Sequence, residues 1–364
     1  MKNFFDEVPY GYTFDDLLLV PSYSDMESRN NADISSQLFH DDKKYEIPII
    51  SANMNTVTES AMINTICGLG ATGALHRFMS SERIVQEFNK IEFKNRKKSG
   101  ISIGVRNKFY KELLKIKIDS NCIFELVGYV IVDIAHGDHK LCANTVKILN
   151  KDFPYLKIIA GNICTPEAAL QFIDAGAHCA KAGIGAGAAC KTRVVCGCGY
   201  PQLSAIKNIY CELLKQNITH FKIISDGGSK TTGDIIKNLA AGADFVMLGG
   251  MLAGTKETPG PVLSNGKSDE KKVKLYQGMA STDVQVNFTG NEAEEIASEG
   301  VSEFVSYKGS IDKIMKNIKK SLKHGFSYLG CRDIKELHEF GQNPLNWVRQ
   351  TIAGIHEGRP HVNG

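Results

Sequence analysis

No stretch of the 364-residue chain approaches the eighteen consecutive apolar residues needed to span a bilayer. No block of five or six consecutive basic residues is present either, and the net charge is only +3. The basic clusters at Lys94–Lys98 and Lys319–Lys323 fall in helix-like stretches and read as solvated faces. Nucleic-acid and membrane partners are therefore not expected. The opening MKNFFDEVPYGYTF carries acids and no long apolar run, so no secretory signal is predicted and a cytoplasmic location is expected. The ten cysteines include no CxxC pair and have no HxxxH pattern beside them, which argues against structural zinc. In a chain without an export signal they read as reduced thiols. A GxxxxGK[ST] phosphate loop is also absent.

Eight short apolar, β-branched runs are present: IPIIS (47–51), TGAL (72–75), ISIGV (101–105), YVIVD (129–133), KIIAG (157–161), HCAKAGI (178–184), FKIISD (221–226) and DFVMLG (244–249). Helix-like segments such as TPEAALQFIDAG (165–176) and PQLSAIKNIYCELLKQ (201–216) lie between them. Strands alternating with helices read as parallel βαβ units, whose strands are buried on both faces and so nearly continuous in apolar residues. Eight such units predict an α/β fold, a (β/α)8 TIM barrel. A sixty-residue interval rich in Gly, Ser and Thr follows the eighth strand and reads as a long loop and flap, about 255–309. The expected organisation is one catalytic domain over 1–339 and a tail of unassigned role over 340–364.

In such barrels the site lies at the C-terminal strand ends. Asp133, Asn162, Asp226-Gly227-Gly228 and Gly249-Gly250 occupy those ends. Gly-Gly pairs after strands seven and eight fit a phosphate held by backbone N–H groups, which points to a phosphorylated small molecule. The loop after strand six, GIGAGAACKTRVVCGCGYPQ (183–202), carries Cys190 among glycines. Its spacing alone leaves two readings open, a tightly bent loop presenting a nucleophilic thiol and a flexible loop with an incidental one.

At this loop the sequence resembles the IMP dehydrogenase and GMP reductase family. The pattern GIGxGxxCxTR…GYPQLSA carries the likeness. FDDLLLVPSYSDMESR (14–29), IISANMNTVTE (49–59), VDIAHG (132–137), AGNICTPE (160–167), ISDGG (224–228), ADFVMLGGMLAG (243–254), YQGMAS (276–281), ASEGV (297–301) and YKGS (307–310) extend it. The resemblance implies a barrel that is usually a homotetramer, binds a purine 5′-monophosphate and a nicotinamide dinucleotide, and attacks purine C2 with the cysteine. Regulatory domains common in the dehydrogenases would be inserted near 95–100, where only KNRKKSG stands. The dehydrogenases also use an Arg-Tyr pair on the flap to activate water. This chain has no arginine between Arg193 and Arg332. The resemblance is therefore closest to GMP reductase, which converts GMP and NADPH to IMP and ammonia. The alternatives are an IMP dehydrogenase without regulatory domains and a catalytically impaired nucleotide-binding pseudoenzyme.

The resemblance implies Cys190 as nucleophile and Thr192 with Glu299 as the proton-transfer pair. Asp226, Gly227, Gly228, Gly249 and Gly250 are implied for the GMP phosphate and ribose. Gly278, Met279, Ala280, Ala297, Ser298 and Gly300 are implied around the purine. Arg77, Asp133, Ile134, Ala135, His136, Gly137, Met279 and Ser327 are implied for NADPH. Gly185, Gly187, Cys190 and Arg193 are implied around a potassium ion, largely through carbonyls. The sequence departs from the family pattern at Asn55, Ala186, Ala188 and Ile296, where Asp, Pro, Ser and Arg are usual. Cys196 and Cys198 are also unusual, and an exposed thiol pair beside a reactive one is an expected oxidation liability.

Overall fold

The computed structural model describes residues 6–40, 43–118, 121–264, 272–289 and 298–358. Eight parallel strands close on themselves: β1 (Ile49–Ser51), β2 (Thr72–Leu75), β3 (Gly100–Ile103), β4 (Tyr129–Asp133), β5 (Lys157–Ile163), β6 (Cys179–Ala182), β7 (Lys222–Asp226) and β8 (Phe245–Leu248). Each pairs with the next, and β8 returns to β1 through Val246 opposite Ile49. The expected (β/α)8 barrel is the observed one. Ile49, Ile50, Ile101, Val130, Ile131, Ile159, Ile224 and Val246 are inaccessible to solvent. Burying one such side chain contributes about 1.5–3 kcal/mol, which explains why these strands tolerate few polar residues.

The strands alternate with α1 (Ser60–Gly68), α2 (Ser81–Asn89), α3 (Asn107–Lys115), α4 (Lys140–Asp152), α5 (Pro166–Ala175), α6 (Gln202–Lys215), α7 (Thr232–Ala241) and α8 (Ile311–Leu329). Local chemistry sets their ends. The Thr165 hydroxyl accepts from the Ala168 N–H, Pro166 opens α5, and Gly176 closes it at φ 92°. Thr231 and Asp234 form a reciprocal capping box at the start of α7. Along α8, Ile311, Met315, Ile318, Leu322, Phe326 and Leu329 recur every three or four residues and form the face buried on the barrel. Only one short helical turn, Phe93–Arg96, stands between α2 and β3, so no domain is inserted there.

After β8 the chain leaves the barrel and returns, with the base of the excursion closed by main-chain hydrogen bonds from Lys256 to Gly309 and from Lys308 to Gly254, both 2.8 Å. Within it, Val273–Gln277 pairs antiparallel with Ser302–Ser306. At the other end of the chain, Trp347–Arg349 pairs antiparallel with Leu17–Leu19, joining the two terminal regions. A further helix, α9 (Ile334–Gln342), packs on α7 so closely that a Cβ at Gly341 would lie 1.8 Å from the Ala240 carbonyl oxygen. That oxygen belongs to a helix backbone and cannot rotate away. Gly341→Ala is expected to destabilise the protein by about 1–3 kcal/mol, read as a lower Tm in thermal unfolding. An unchanged Tm would mean that the two helices separate at no cost.

Candidate active site

Four neighbouring strands each place one polar side chain at the mouth. Asp133 ends β4, Asn162 stands near the end of β5, Lys181 lies in β6 and Asp226 ends β7. The strand register brings them level, with Asp133 opposite Gly161 and both Gly161 and Ile224 opposite Lys181. Lys181 is 3% exposed. Its ammonium meets Asp133 Oδ1 at 3.0 Å and Asp226 Oδ2 at 2.7 Å, and it donates to Asn162 Oδ1. The Asn162 amide nitrogen donates to the Gly183 carbonyl at 2.7 Å and to Asp226 Oδ2 at 2.9 Å. Every polar atom of the Asn162 side chain is thus engaged, which fixes the orientation of its amide. Burial pushes the Asp133 carboxyl up, but the Lys181 ammonium and Arg77 guanidinium outweigh it and hold the group below its ordinary value. Burial alone would lower the Lys181 pKa, and the two carboxylates instead raise it.

The loop after β6 turns sharply because glycine allows it. Gly183 adopts φ +146°, and a Cβ there would come within 2.0 Å of the Asp226 carbonyl oxygen. The loop presents Cys190 with its Sγ 3.0 Å from Thr192 Oγ1, and the Thr192 hydroxyl donates to Glu299 Oε2 at 2.7 Å. Threonine has one hydroxyl hydrogen, and Glu299 as a carboxylate can only accept it. Cys190 is then the donor to Thr192, and the array reads S–H···O–H···carboxylate.

Main-chain pairing brings Glu299 across 107 residues to meet Thr192. Lys191 N–H donates to the Glu299 carbonyl at 2.6 Å, Val301 N–H to Ala189 at 3.1 Å, and Glu299 N–H to Ala280 at 3.1 Å. A Cβ on Gly278 would strike the Ala189 carbonyl oxygen at 2.3 Å, so glycine is needed where these segments converge. One helical turn beyond Thr192, the Cys196 N–H donates to the Thr192 carbonyl at 2.8 Å. Hydrogen bonding to the Glu299 carboxylate, ahead of other causes, pushes the Cys196 thiol pKa up. Cys198 is exposed, with its thiol against the Cys196 carbonyl at 3.4 Å.

A cleft of about 290 Å³ opens above these groups. Asp226, Gly227, Gly228, Gly249 and Gly250 line it, with Gly227 and Gly228 at φ +106° and +84°. A Cβ on Gly249 would sit 3.0 Å from the Tyr276 hydroxyl and fill the space above β8. Burial, then the nearby Asp226, pushes the Tyr276 phenol up to about 12. Gly278, Met279, Ala280, Glu299 and Gly300 close the flap side. Ser298 is set back, with its hydroxyl on the Gly300 carbonyl at 3.1 Å, and Ala297 lies outside the described residues.

On the opposite side Arg77, Asp133, Ile134 and Ala135 line the cleft. The Arg77 guanidinium lies 4.1 Å over the Phe78 ring and its Nε faces Asp133 Oδ2 at 3.5 Å. That is an ion pair without hydrogen-bond geometry, and among the described residues the buried Nε has no hydrogen-bond partner. His136 is exposed and sits outside the cleft lining, while the Gly137 N–H donates to the Asn162 carbonyl at 2.6 Å. Ser327 is not brought to the cleft of this chain, since it stands two residues before the end of α8. The helix after a barrel strand runs back from the mouth, so that end lies at the opposite face. Gly185 and Gly187 line the cleft with Cys190, whereas Arg193 is tied to the Tyr200 carbonyl at 2.6 Å.

Sequence reasoning missed Lys181 and Tyr276. The available signal for the first was a charge inside the otherwise apolar run HCAKAGI; for the second it was an aromatic residue before the Gly278-Met279 pair.

The chain as a whole resembles known proteins. Residues 11–361 match the family described as the IMP dehydrogenase / GMP reductase domain, a match that runs into the segment beyond 340. Human GMP reductase 2 is 35% identical over 327 residues, covering 89% of this chain and 91% of the relative. The inosine-5′-monophosphate dehydrogenase of Borreliella burgdorferi is 32% identical over 401 residues, covering 96% of each. The crystal structure of a cysteine-to-alanine variant of GMP reductase from Trypanosoma brucei, in complex with guanosine 5′-monophosphate, superposes with a TM-score of 0.87 at 26% identity, covering 100% of both chains. The oxidoreductase site built on this barrel therefore comes with a family: the chain belongs to the IMP dehydrogenase / GMP reductase family.

Proposed function

We propose that the protein is a GMP reductase, carrying out NADPH-dependent reductive deamination of GMP to IMP and ammonia. The observation that carries this reading is the hydrogen-bonded array from Cys190 through Thr192 to Glu299. In the forward direction the thiol proton moves along Thr192 to the Glu299 carboxylate as Sγ bonds to purine C2. The same pair returns a proton to the departing 2-amino group, which leaves as ammonia and makes a Cys190 thioimidate. NADPH, when bound, supplies the hydride that replaces the C2–S bond with C2–H and releases Cys190 as thiolate. The balance is GMP, NADPH and a proton giving IMP, ammonia and NADP⁺. A lone Thr hydroxyl is a poor proton carrier, and coupling to a carboxylate supplies the missing acid and base.

The Arg77 guanidinium, a cation at the cleft wall, suits an anionic cofactor group. Gly185 and Gly187, with Cys190 and Arg193, would hold a potassium ion through main-chain carbonyls. The Gly187 carbonyl already accepts from the Cys190 N–H at 3.1 Å and keeps its second lone pair free for a cation. The proposed enzyme is a cytoplasmic homotetramer.

A second reading, IMP dehydrogenase, is favoured by relatives of that activity at similar identity, including the Nitrosopumilus maritimus protein at 30% over 98% of this chain. The absence of any arginine between Arg193 and Arg332 weighs against it. The test mixes the protein with GMP, NADPH and potassium and follows NADPH absorbance. GMP-dependent oxidation is expected. NADH formed from IMP and NAD instead would replace this reading with the dehydrogenase, and silence in both directions with GMP bound would leave a pseudoenzyme.

A further inference from the structure

The buried ammonium of Lys181 lies between a carboxylate assigned to the cofactor and one assigned to the nucleotide. Those assignments rest on the reading above. Asp133 faces it from β4, Asn162 from β5 and Asp226 from β7. The surrounding charges and titratable groups are Arg77 against Asp133, the Cys142 thiol of α4, and Tyr276 near Asp226. The Asn53 side chain also donates to Asp133. Of these two acids Arg77 reaches Asp133 alone, and among the described residues Lys181 is the cation that touches both. Without it, two carboxylates would share a low-dielectric mouth, where like charges repel and one takes up a proton.

We propose that Lys181 is a positioning residue that holds the cofactor-side Asp133 and the nucleotide-side Asp226 at a common spacing, so that both ligands bind to one pre-set frame. Its position inside a barrel strand makes the frame rigid. The adjacent strands carrying Asp133, Asn162 and Asp226 cannot shift singly without breaking the register.

The test measures GMP and NADPH affinities separately by calorimetry on the full chain, between pH 6 and 8, for wild type, Lys181→Met and the double variant Lys181→Met with Asp226→Asn. Lys181→Met is expected to weaken both ligands by about tenfold or more. It should also add a pH dependence to both affinities beyond the one that the ligands' own phosphates impose on the wild type. The double variant removes the opposing charge as well and leaves Asp133 with Arg77. It should recover NADPH affinity and the wild-type pH profile for NADPH while GMP stays weak, and it serves alone if Lys181→Met does not fold. Wild-type affinities and a wild-type pH profile in Lys181→Met would overturn the proposal, as would a double variant whose NADPH affinity stays low. Turnover of IMP instead of GMP by the wild type would refute the reductase reading only. The titrations would then be repeated with IMP and NAD, and the same two failures would still sink the proposal.

Discussion

Cys190→Ala is expected to reduce GMP-dependent NADPH oxidation by ~10⁴-fold or more, with GMP affinity within a few-fold of wild type. In the proposed reductase reaction, C2 first exchanges its amine for a better leaving group before hydride arrives, and the Cys190 thiol would provide it. Its Sγ heads the array through Thr192 to Glu299. Neither neighbouring thiol can substitute. Cys196 is engaged with Glu299, and Cys198 lies at the exposed edge of the loop. The truncation should leave the fold intact, because the loop backbone is held independently by Lys191 on Glu299 and Val301 on Ala189. Steady-state absorbance measures the loss, and calorimetry with GMP measures the retained binding. Trapping gives an independent readout, since wild-type Cys190 should be alkylated quickly and protected by GMP. Activity above about 1% in the variant would place the nucleophile elsewhere.

The barrel is legible because each strand carries its own evidence. Runs such as YVIVD and FKIISD are too short for helices and too apolar for exposed strands, and eight of them in alternation leave few other closures. Their ends are less legible. HCAKAGI continues past the strand, which stops at Ala182 because Gly183 at φ +146° leaves the sheet. The glycines and acids at the strand ends could be read because strand order tells where the mouth is. Contacts made across long sequence separations could not be. Glu299 looks like any acid in a polar loop until main-chain pairing lays its segment beside Ala189–Lys191. Lys181 reads as an oddity in a strand because its partners lie 48 residues before it and 45 after it. The segment after 340 gives no local hint that Trp347–Arg349 pairs with Leu17–Leu19 near the opposite end of the chain.

Glu299→Gln is the second large effect, an expected loss of ~10²–10⁴-fold in kcat with GMP affinity little changed. Glutamine can still accept the Thr192 hydrogen through its amide oxygen, so the loop and flap remain tied. What it cannot do is take up and return a proton. The variant therefore separates the carboxylate's chemistry from its structural contact. Thr192→Val should fall in the same range, because it interrupts the array at its middle while Glu299 stays in place. The two substitutions together should cost no more than the worse of them, as expected for groups that act as one path. Cys196→Ala should cost less than about tenfold, since it removes a side donor to Glu299 and leaves the path itself whole. Rapid-mixing and steady-state kinetics on the four variants, each with a GMP titration, decide the matter. Additive losses in the double variant would mean that Thr192 and Glu299 act separately. A Glu299→Gln enzyme within about threefold of wild type would leave the ammonia-releasing proton without a source in this site.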